Sequence, residues 1–409
     1  MNITDNLKLY NNCIRHYDLD TLEKIYDFFT SPPFCYNFDY DNERYLINYH
    51  NPSDLYEDDT EPSGMAIPMT SIMRGAVFER KTNRPLVLPL PKFSNPDNFD
   101  CYDFKNLEFT ELIDGTLVYL HFYDGIWRIS TRGRLNAFHS HWRSEGSFGD
   151  LAAELFVGYD FNTLDKRCCY GFVIEHPENY NVIIPTSKNL YHVFTRNMDT
   201  LEEVDVNIGI TKPRRHIFMS AKFLEIYLKN CKLVRSIGVI ARDRNTNRRC
   251  TYYTKAYERM KGLIKNHINI RNIFIDSYTG IGDSIKNVRH ILSHFKGWNG
   301  EWKWVLHNYT ALIDEIEYYY ELSYKKRKHT VLPYYLKPVL YKIHGIYISR
   351  KRKWYQIESL RRLTEPYYKG DIESNPSPKI IRYDIKEWYA ELPFDKKREL
   401  LSHFYKMNS

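Results

Sequence analysis

No stretch of this 409-residue chain approaches the roughly 20 consecutive apolar residues that a membrane-crossing helix requires. The polar segment Met1–Arg15 also lacks the apolar core of a secretory signal. Cysteine is sparse and odd in number, with seven in all: Cys13, Cys35, Cys101, the adjacent Cys168 and Cys169, Cys231 and Cys250. None stands in a Cys-x-x-Cys pair with a second pair or with histidines at zinc spacing. A disulfide framework and a structural zinc site are therefore not expected, and reduced thiols are. A large charge of one sign is absent too, since 58 Lys+Arg against 51 Asp+Glu leave a net +7. These absences point to a soluble cytoplasmic protein without membrane attachment.

What is present is enough apolar material, 43% of residues, for packed cores, and a length that suits two or three domains. Tyrosine is plentiful, with 35 residues. At strand spacing tyrosines belong to cores and sheet surfaces, although they also stack on bases. Thr21–Thr30 carries Leu22, Ile25, Tyr26 and Phe29 at helical spacing, with Asp20 and Glu23 where an N-cap and its partner would stand and Ser31-Pro32-Pro33 as the stop. Phe34–Asn48 is strand-like, and Asn51–Pro62 is an acidic, turn-rich loop. Met73–Glu79 and Leu86–Asn95 read as strands joined through Lys81-Thr82-Asn83-Arg84. Leu117–Tyr123 and Gly125–Ser130 alternate around Asp124-Gly125, a strong hairpin signal. Further strand-like runs are Tyr170–Ile184, Arg235–Ile240 and Arg249–Tyr257.

Between two of these strands lies Glu111-Leu112-Ile113-Asp114-Gly115-Thr116. Taken alone, Asp114-Gly115 fits a hairpin turn. It also resembles the Lys-x-Asp-Gly motif of covalent nucleotidyltransferases, in which the lysine amine attacks the nucleotide α-phosphate. Leu112 occupies the lysine position and has no lone pair to offer.

The neighbouring segments make the resemblance more specific: the chain is similar to phage-type ATP-dependent RNA ligases over Arg74–Tyr257. Arg74-Gly75 followed by two strands ending in Pro91-Lys92-Phe93-Ser94-Asn95 resembles the family's approach to its nucleophile. There the arginine and lysine meet phosphate and the phenylalanine lies near the adenosine, which implies those roles for Arg74, Lys92 and Phe93. Ser130-Thr131-Arg132-Gly133 resembles the family's Ser/Thr-Lys-Gly element, with Arg132 keeping the charge. Pro177-x-Asn179 resembles the strand-turn-strand that follows a ribose-binding glutamate. That glutamate position is Val173, and Glu175 lies two residues on, on the same strand face. The metal-binding glutamate position is Ile237, and the two lysines that grip the α-phosphate are Thr251 and Tyr253, while Ala256-Tyr257 remains. Lys105 stands seven residues before Leu112 with no Asp-Gly behind it, so its register does not fit a substitute nucleophile.

The resemblance implies an α+β fold: a nucleotidyltransferase, ATP-grasp-like ligase core of mostly antiparallel sheets over residues 1–257, with a helical, basic C-terminal domain over 258–409. Helical periodicity covers Glu258–His267, Asp283–Phe295 and Tyr309–Tyr324, with Trp298, Trp302 and Trp304 between the last two. Basic residues gather there as Lys325-Lys326-Arg327-Lys328 and as Arg350-Lys351-Arg352-Lys353, followed by Trp354, with tyrosines interleaved. Such clusters suit phosphate contact and base stacking, although a charge run is also what a solvated face looks like.

The expectation is a pseudoenzyme that uses no metal or cofactor, has lost ligation and binds RNA, with tRNA or broken RNA ends favoured. Protection against an RNA-cleaving toxin, in a virus or a cytoplasmic selfish plasmid, is one setting. Two alternatives stay open: a nucleotidyltransferase with relocated catalytic residues, and a protein-interaction subunit that binds no RNA.

Overall fold

The computed structural model describes residues 3–32, 34–49, 72–91, 93, 104–142, 145–233, 236–327, 331–364 and 378–408, with the backbone alone at 361–364 and 407–408. The chain divides into two compact units, Met1–Arg259 and Met260–Ser409.

In the first unit, α1 (Ile3–His16) and α2 (Leu22–Thr30) precede a four-stranded antiparallel sheet I, formed by β1 (Asn37–Tyr40), β2 (Arg44–Asn48), β3 (Arg74–Glu79) and β4 (Pro85–Val87). Sheet III comprises β6 (Thr116–Tyr123), β7 (Ile126–Thr131), β8 (Cys168–Glu175) and β9 (Asn189–Asn197) in the order β7-β6-β8-β9. Sheet II is built from β5 (Leu107–Glu111), β10 (Arg215–His216), β11 (Gly238–Asp243) and β12 (Arg249–Tyr253) in the order β10-β5-β11-β12. Helix α3 (Phe148–Leu155) covers sheet III, and α4 (Ala221–Asn230) packs on sheet II.

Strand alternation explains the layering. Tyr45, Ile47 and Phe78 point to Tyr10, Ile25 and Phe29 of the helices, while Leu46 and Val77 point to Tyr119, Cys169 and Phe194 of sheet III. Covered on both faces, β2 is buried along its whole length. On the far face of sheet III, Val118, Leu120, Tyr170 and Phe172 meet Leu151 and Ala152 of α3. Turn chemistry sets the hairpins. Asp41 accepts the backbone N–H groups of Glu43 and Arg44 at 2.9 and 2.6 Å between β1 and β2. Asp124 and Gly125 take φ of 50° and 76° between β6 and β7, the left-handed pair a two-residue hairpin needs.

The second unit is helical. It continues α5 (Lys255–Ile264) with α6 (Ile270–Ser277), α7 (Ser284–His294), α8 (Asn299–Tyr320), α9 (Lys337–Thr364), α10 (Arg382–Ala390) and α11 (Phe394–Asn408). Its core gathers Phe274, Ile291, Leu312, Ile316 and Tyr389, with Phe295 stacked on Trp298 at 3.9 Å.

The α+β architecture, with antiparallel sheets followed by helices, is as the sequence implies. Several details differ. The cap of α2 is Thr21, whose hydroxyl accepts from Lys24 N at 3.3 Å, while Asp20 pairs with the Lys24 amine at 2.7 Å. Phe34–Asn48 is a hairpin of two strands, Val182–Ile184 forms no strand, and the partner of β8 begins only at Asn189. Helix α8 starts at Asn299, so Trp302 and Trp304 lie inside it.

Candidate functional site

Strand β5 belongs to sheet II and β6 to sheet III, so Leu112–Gly115 carries the chain from one sheet to the other. Asp114-Gly115 is therefore not a hairpin turn. The Leu112 N–H donates to Gly238 O at 3.0 Å and Glu111 N–H to Arg214 O at 2.7 Å, which ties this joint to sheet II. On the other side, the buried Asp114 carboxylate accepts Val182 N–H at 2.8 Å and Ile183 N–H at 2.6 Å. Gly115 is there for closeness, because a Cβ would stand 2.2 Å from Ile174 O and 2.7 Å from Val173 Cγ1. The Pro177-x-Asn179 segment supports the same joint: Asn179 donates to Thr116 Oγ1 at 2.9 Å.

Arg74 and Arg132 come together beside it. Gly75 has φ of 93°, and a Cβ on it would stand 2.7 Å from Arg132 Cα, so the two segments touch backbone to backbone. Arg132 Nε donates to Asn48 Oδ1 at 3.0 Å, its guanidinium lies over Tyr49 at 5.4 Å, and Tyr119 OH donates to Arg74 O at 3.4 Å. Tyr253 stacks on Tyr257 at 5.1 Å. Burial pushes the Tyr253 phenol up, with the Arg74 charge opposing, and pushes Tyr257 up further, helped by Asp114. Arg74, Tyr253, Tyr257 and Asp114 are thus linked as electrostatic neighbours, Arg74 with Tyr253 and Asp114 with Tyr257.

Val173, the position of the family's glutamate, packs on Gly115 instead. Glu175, on the same face, accepts from Asn189 Nδ2 at 2.8 Å and Tyr191 OH at 3.3 Å. Glu111 lies near it: burial raises the Glu111 carboxyl, Arg214 opposes, and Glu175 adds to the rise. Ile237, compared above with a metal-binding glutamate, is buried and apolar. Thr251 and Tyr253 pair with Ile240 and Gly238 in the sheet. Phe93 is half-buried after β4, and Lys92 lies outside the described residues.

The basic positions are unequal. Arg350 donates to Asp384 Oδ1 at 2.5 Å and approaches Glu387 at 3.8 Å, and Lys325 pairs with Glu321 at 3.0 Å. Both charges thus have carboxylate partners within the chain. Lys326 and Arg327 are exposed, and Lys328 lies outside the described residues. Lys351 sits 5.7 Å from both the Tyr347 and Tyr355 rings. Arg352 and Lys353 border a shallow groove of about 380 Å³ with Tyr341, His344 and Ile348 on α9. Trp354 is half-buried with its ring 5.0 Å from Tyr355.

No protein-family model matches the chain. A similar protein is the immediate-early protein ICP-46 homolog of Invertebrate iridescent virus 3, 29% identical over 169 residues that cover 34% of this chain and 35% of that protein. The chain thus spans about a third of that relative's length. Similar solved structures include an archaeal ATP-dependent RNA ligase (12% identity, TM-score 0.38, 60% of this chain and 63% of that one). Others are an Aquifex aeolicus protein assigned as an ATP-dependent DNA ligase (11%, 0.38, 70% and 78%) and a Naegleria gruberi RNA ligase with pyrophosphate (11%, 0.28, 38% and 52%). Among the described residues no helix is long and apolar enough to cross a membrane.

Proposed function

We propose that this protein is an RNA-ligase-like scaffold that binds RNA, tRNA or broken RNA ends, without joining them. The ligase-like segments lie in residues 1–257 and the main RNA contacts lie in the helical part, 258–409. Its task on this reading is to shield RNA from a cleaving toxin as an immunity factor of a virus or a cytoplasmic selfish plasmid.

The observation that carries the reading is the setting of Leu112. It is fixed by its backbone to Gly238 and followed by Asp114 and Gly115, which clasp Val182, Ile183 and Ile174, yet it presents no amine. Loss of a covalent nucleophile lowers rates by about 10⁴–10⁶. Ile237, Thr251 and Tyr253 in place of carboxylate and lysines remove the charge stabilisation of the transferring phosphate as well. Lys105 is separated from Leu112 by the whole of β5, about 20 Å at strand rise.

Incubation with labelled ATP and magnesium or manganese is expected to leave the protein unlabelled on a denaturing gel. Leu112→Lys is expected to stay unlabelled too, because the other phosphate and metal ligands are still missing. A labelled band from the unaltered protein would overturn the reading in favour of relocated catalysis.

RNA binding has its own test. Each neutralised phosphate releases counterions, so affinity falls with salt by a slope set by the number of contacts. Changing Lys351, Arg352 and Lys353 to alanine is expected to weaken tRNA binding and reduce the log–log salt slope by about two to three. Arg350 is left in place because its loss would strand Asp384. A folded triple variant with unchanged affinity and slope would hand the lead to a protein-interaction role. Sequencing RNA crosslinked to the protein in its native cell identifies the partner.

A further inference from the structure

Sheets I and III are packed together, and β3 and β6 run from Arg74 and Thr116 at the Leu112 end to Glu79 and Tyr123 at the other. At that second end the sheets part around a cavity of about 510 Å³, bordered by Glu79, Lys81 and Arg84 on one side and by His121, Tyr123 and Lys166 on the other. The volume falls in the range of about 300–1,000 Å³ typical of small-molecule sites.

His121 gives this cavity its chemistry. It is 1% exposed and stands directly opposite Arg128 in the β6–β7 ladder. Arg44 Nη1 reaches across from sheet I to within 3.4 Å of its Nε2. A guanidinium only donates, so Nε2 is the acceptor and the ring proton sits on Nδ1. Burial, aided by Arg44 and Arg128, pushes the imidazole down to about 3, so the ring stays neutral in that tautomer. Its Nδ1–H is buried with no acceptor among the described residues, and so is the Nε–H of Arg128 beside it.

Buried donors left unmatched are uncommon and costly, and the one on His121, a residue of the cavity wall, asks for an acceptor from outside the chain. The nearby carboxylates do not fill the role. Asp41 holds Arg44 at 2.6 Å, Glu43 stands 3.9 Å from the Arg128 Nη2, and Glu79 accepts from Thr82. Two cations lining the cavity, Lys81 and Lys166, have no carboxylate partner among the described residues, and the Lys166 amine rests 4.6 Å above the Phe122 ring. Glu43, Glu79, Asp124 and Asp199 also line the cavity, as do Arg84 and Arg167, so its wall is mixed in charge.

We propose that this cavity, at the opposite end of β3 and β6 from Leu112, is a ligand site for a phosphate monoester of about nucleotide size. Its phosphate oxygens accept from His121 Nδ1–H, Arg128 opposite it in the ladder adds positive charge, and Lys81 and Lys166 supply the balancing charge. The inference does not depend on RNA binding or on the fate of ligation.

Calorimetry on the full chain with AMP, adenosine and inorganic phosphate tests it. AMP is expected to bind, phosphate to bind more weakly, and adenosine to show no heat. His121→Phe keeps a flat ring without donors. It is expected to weaken AMP binding about ten- to hundredfold, the worth of a hydrogen bond to a charged group. The same change is expected to move the melting temperature little, because the loss of the unmatched Nδ1 donor offsets the loss of the acceptor for Arg44 Nη1. If that variant does not fold, Lys81→Ala with Lys166→Ala in the solvent-exposed wall is expected to show the same loss. The proposal is overturned if AMP does not bind, if adenosine binds as well as AMP, or if AMP binding ignores these substitutions because it occurs elsewhere on the chain.

Discussion

Replacing Glu203 by alanine is expected to remove about 3–5 kcal/mol of folding stability, the loss typical when one partner of a buried ionic cluster is deleted. Glu203 Oε1 accepts from Arg196 Nη2 and Arg249 Nη1 at 3.2 Å each, and Oε2 from Arg249 Nη2 at 2.5 Å. Arg196 belongs to sheet III and Arg249 to sheet II, and Arg196 Nε also donates to Leu88 O at 3.1 Å, just after β4 of sheet I. The carboxylate thus joins sheets II and III, Arg196 reaches on to the end of β4, and the side chains of Arg196, Arg249 and Glu203 are only 3%, 10% and 16% exposed. Without it, two guanidinium groups stay buried and uncompensated. Glu203→Gln keeps an acceptor of the same shape and is expected to lose less.

The pH dependence follows from sign. Burial alone would raise the Glu203 carboxyl, but Arg249 and Arg196 outweigh it and hold it below its ordinary value of 4.5. A depressed carboxylate stabilises the fold above the unfolded value, and that contribution fades as pH falls through the folded one. The unaltered protein is therefore expected to lose stability more steeply below about pH 4.5 than Glu203→Gln does. Urea unfolding midpoints at several pH values measure both effects. An alanine variant within about 1 kcal/mol of the parent would mean that these sheets are held by their apolar contacts alone.

What could be read from the residues was what depends on near neighbours. The β6–β7 hairpin was legible because Asp124-Gly125 needs two left-handed residues, and few other dipeptides supply them. Asp114-Gly115 has the same letters and another purpose, since its glycine yields space to Ile174 O and its aspartate reaches 68 and 69 positions away to Val182 and Ile183. Local pattern cannot separate these uses; only the sheet assignment of β5 and β6 does. The neutralisation of Arg350 by Asp384 is invisible for the same reason, because the partners are 34 residues apart.

Other omissions carried signals. Ser147-Phe148-Gly149-Asp150 is a capping box, with Ser147 Oγ accepting from Asp150 N and Asp150 Oδ2 from Ser147 N at 3.0 Å each, and it marks α3. Helix α1 shows a narrow stripe of Leu7, Tyr10 and Cys13 within a polar segment, too thin to stand out before sheet I is there to cover it. His121, in the wall of the cavity, sits in an ordinary alternating strand. Its importance comes from Arg44 and Arg128, which only the packing of sheets I and III brings to it.

Asp114→Ala is expected to cost about 2–5 kcal/mol, because two buried backbone N–H groups would lose their shared acceptor at once. Those donors, Val182 and Ile183, follow β8 and close over the joint between sheets II and III, where Asp114 is 5% exposed. Asp114→Asn keeps an oxygen in place and loses only the charge, so it is expected to retain most of that stability. The pair of variants separates two roles for an aspartate beside a missing nucleophile. If Asp114 is the clasp of the joint, a neutral amide oxygen suffices: the Asp114→Asn protein folds and binds tRNA with parental affinity, while Asp114→Ala fails in thermal and urea unfolding before binding can be compared. If instead the carboxylate's charge is used on a ligand, Asp114→Asn will unfold at the parental midpoint and still change nucleotide or RNA affinity. That outcome would return Asp114 from scaffold to binding site.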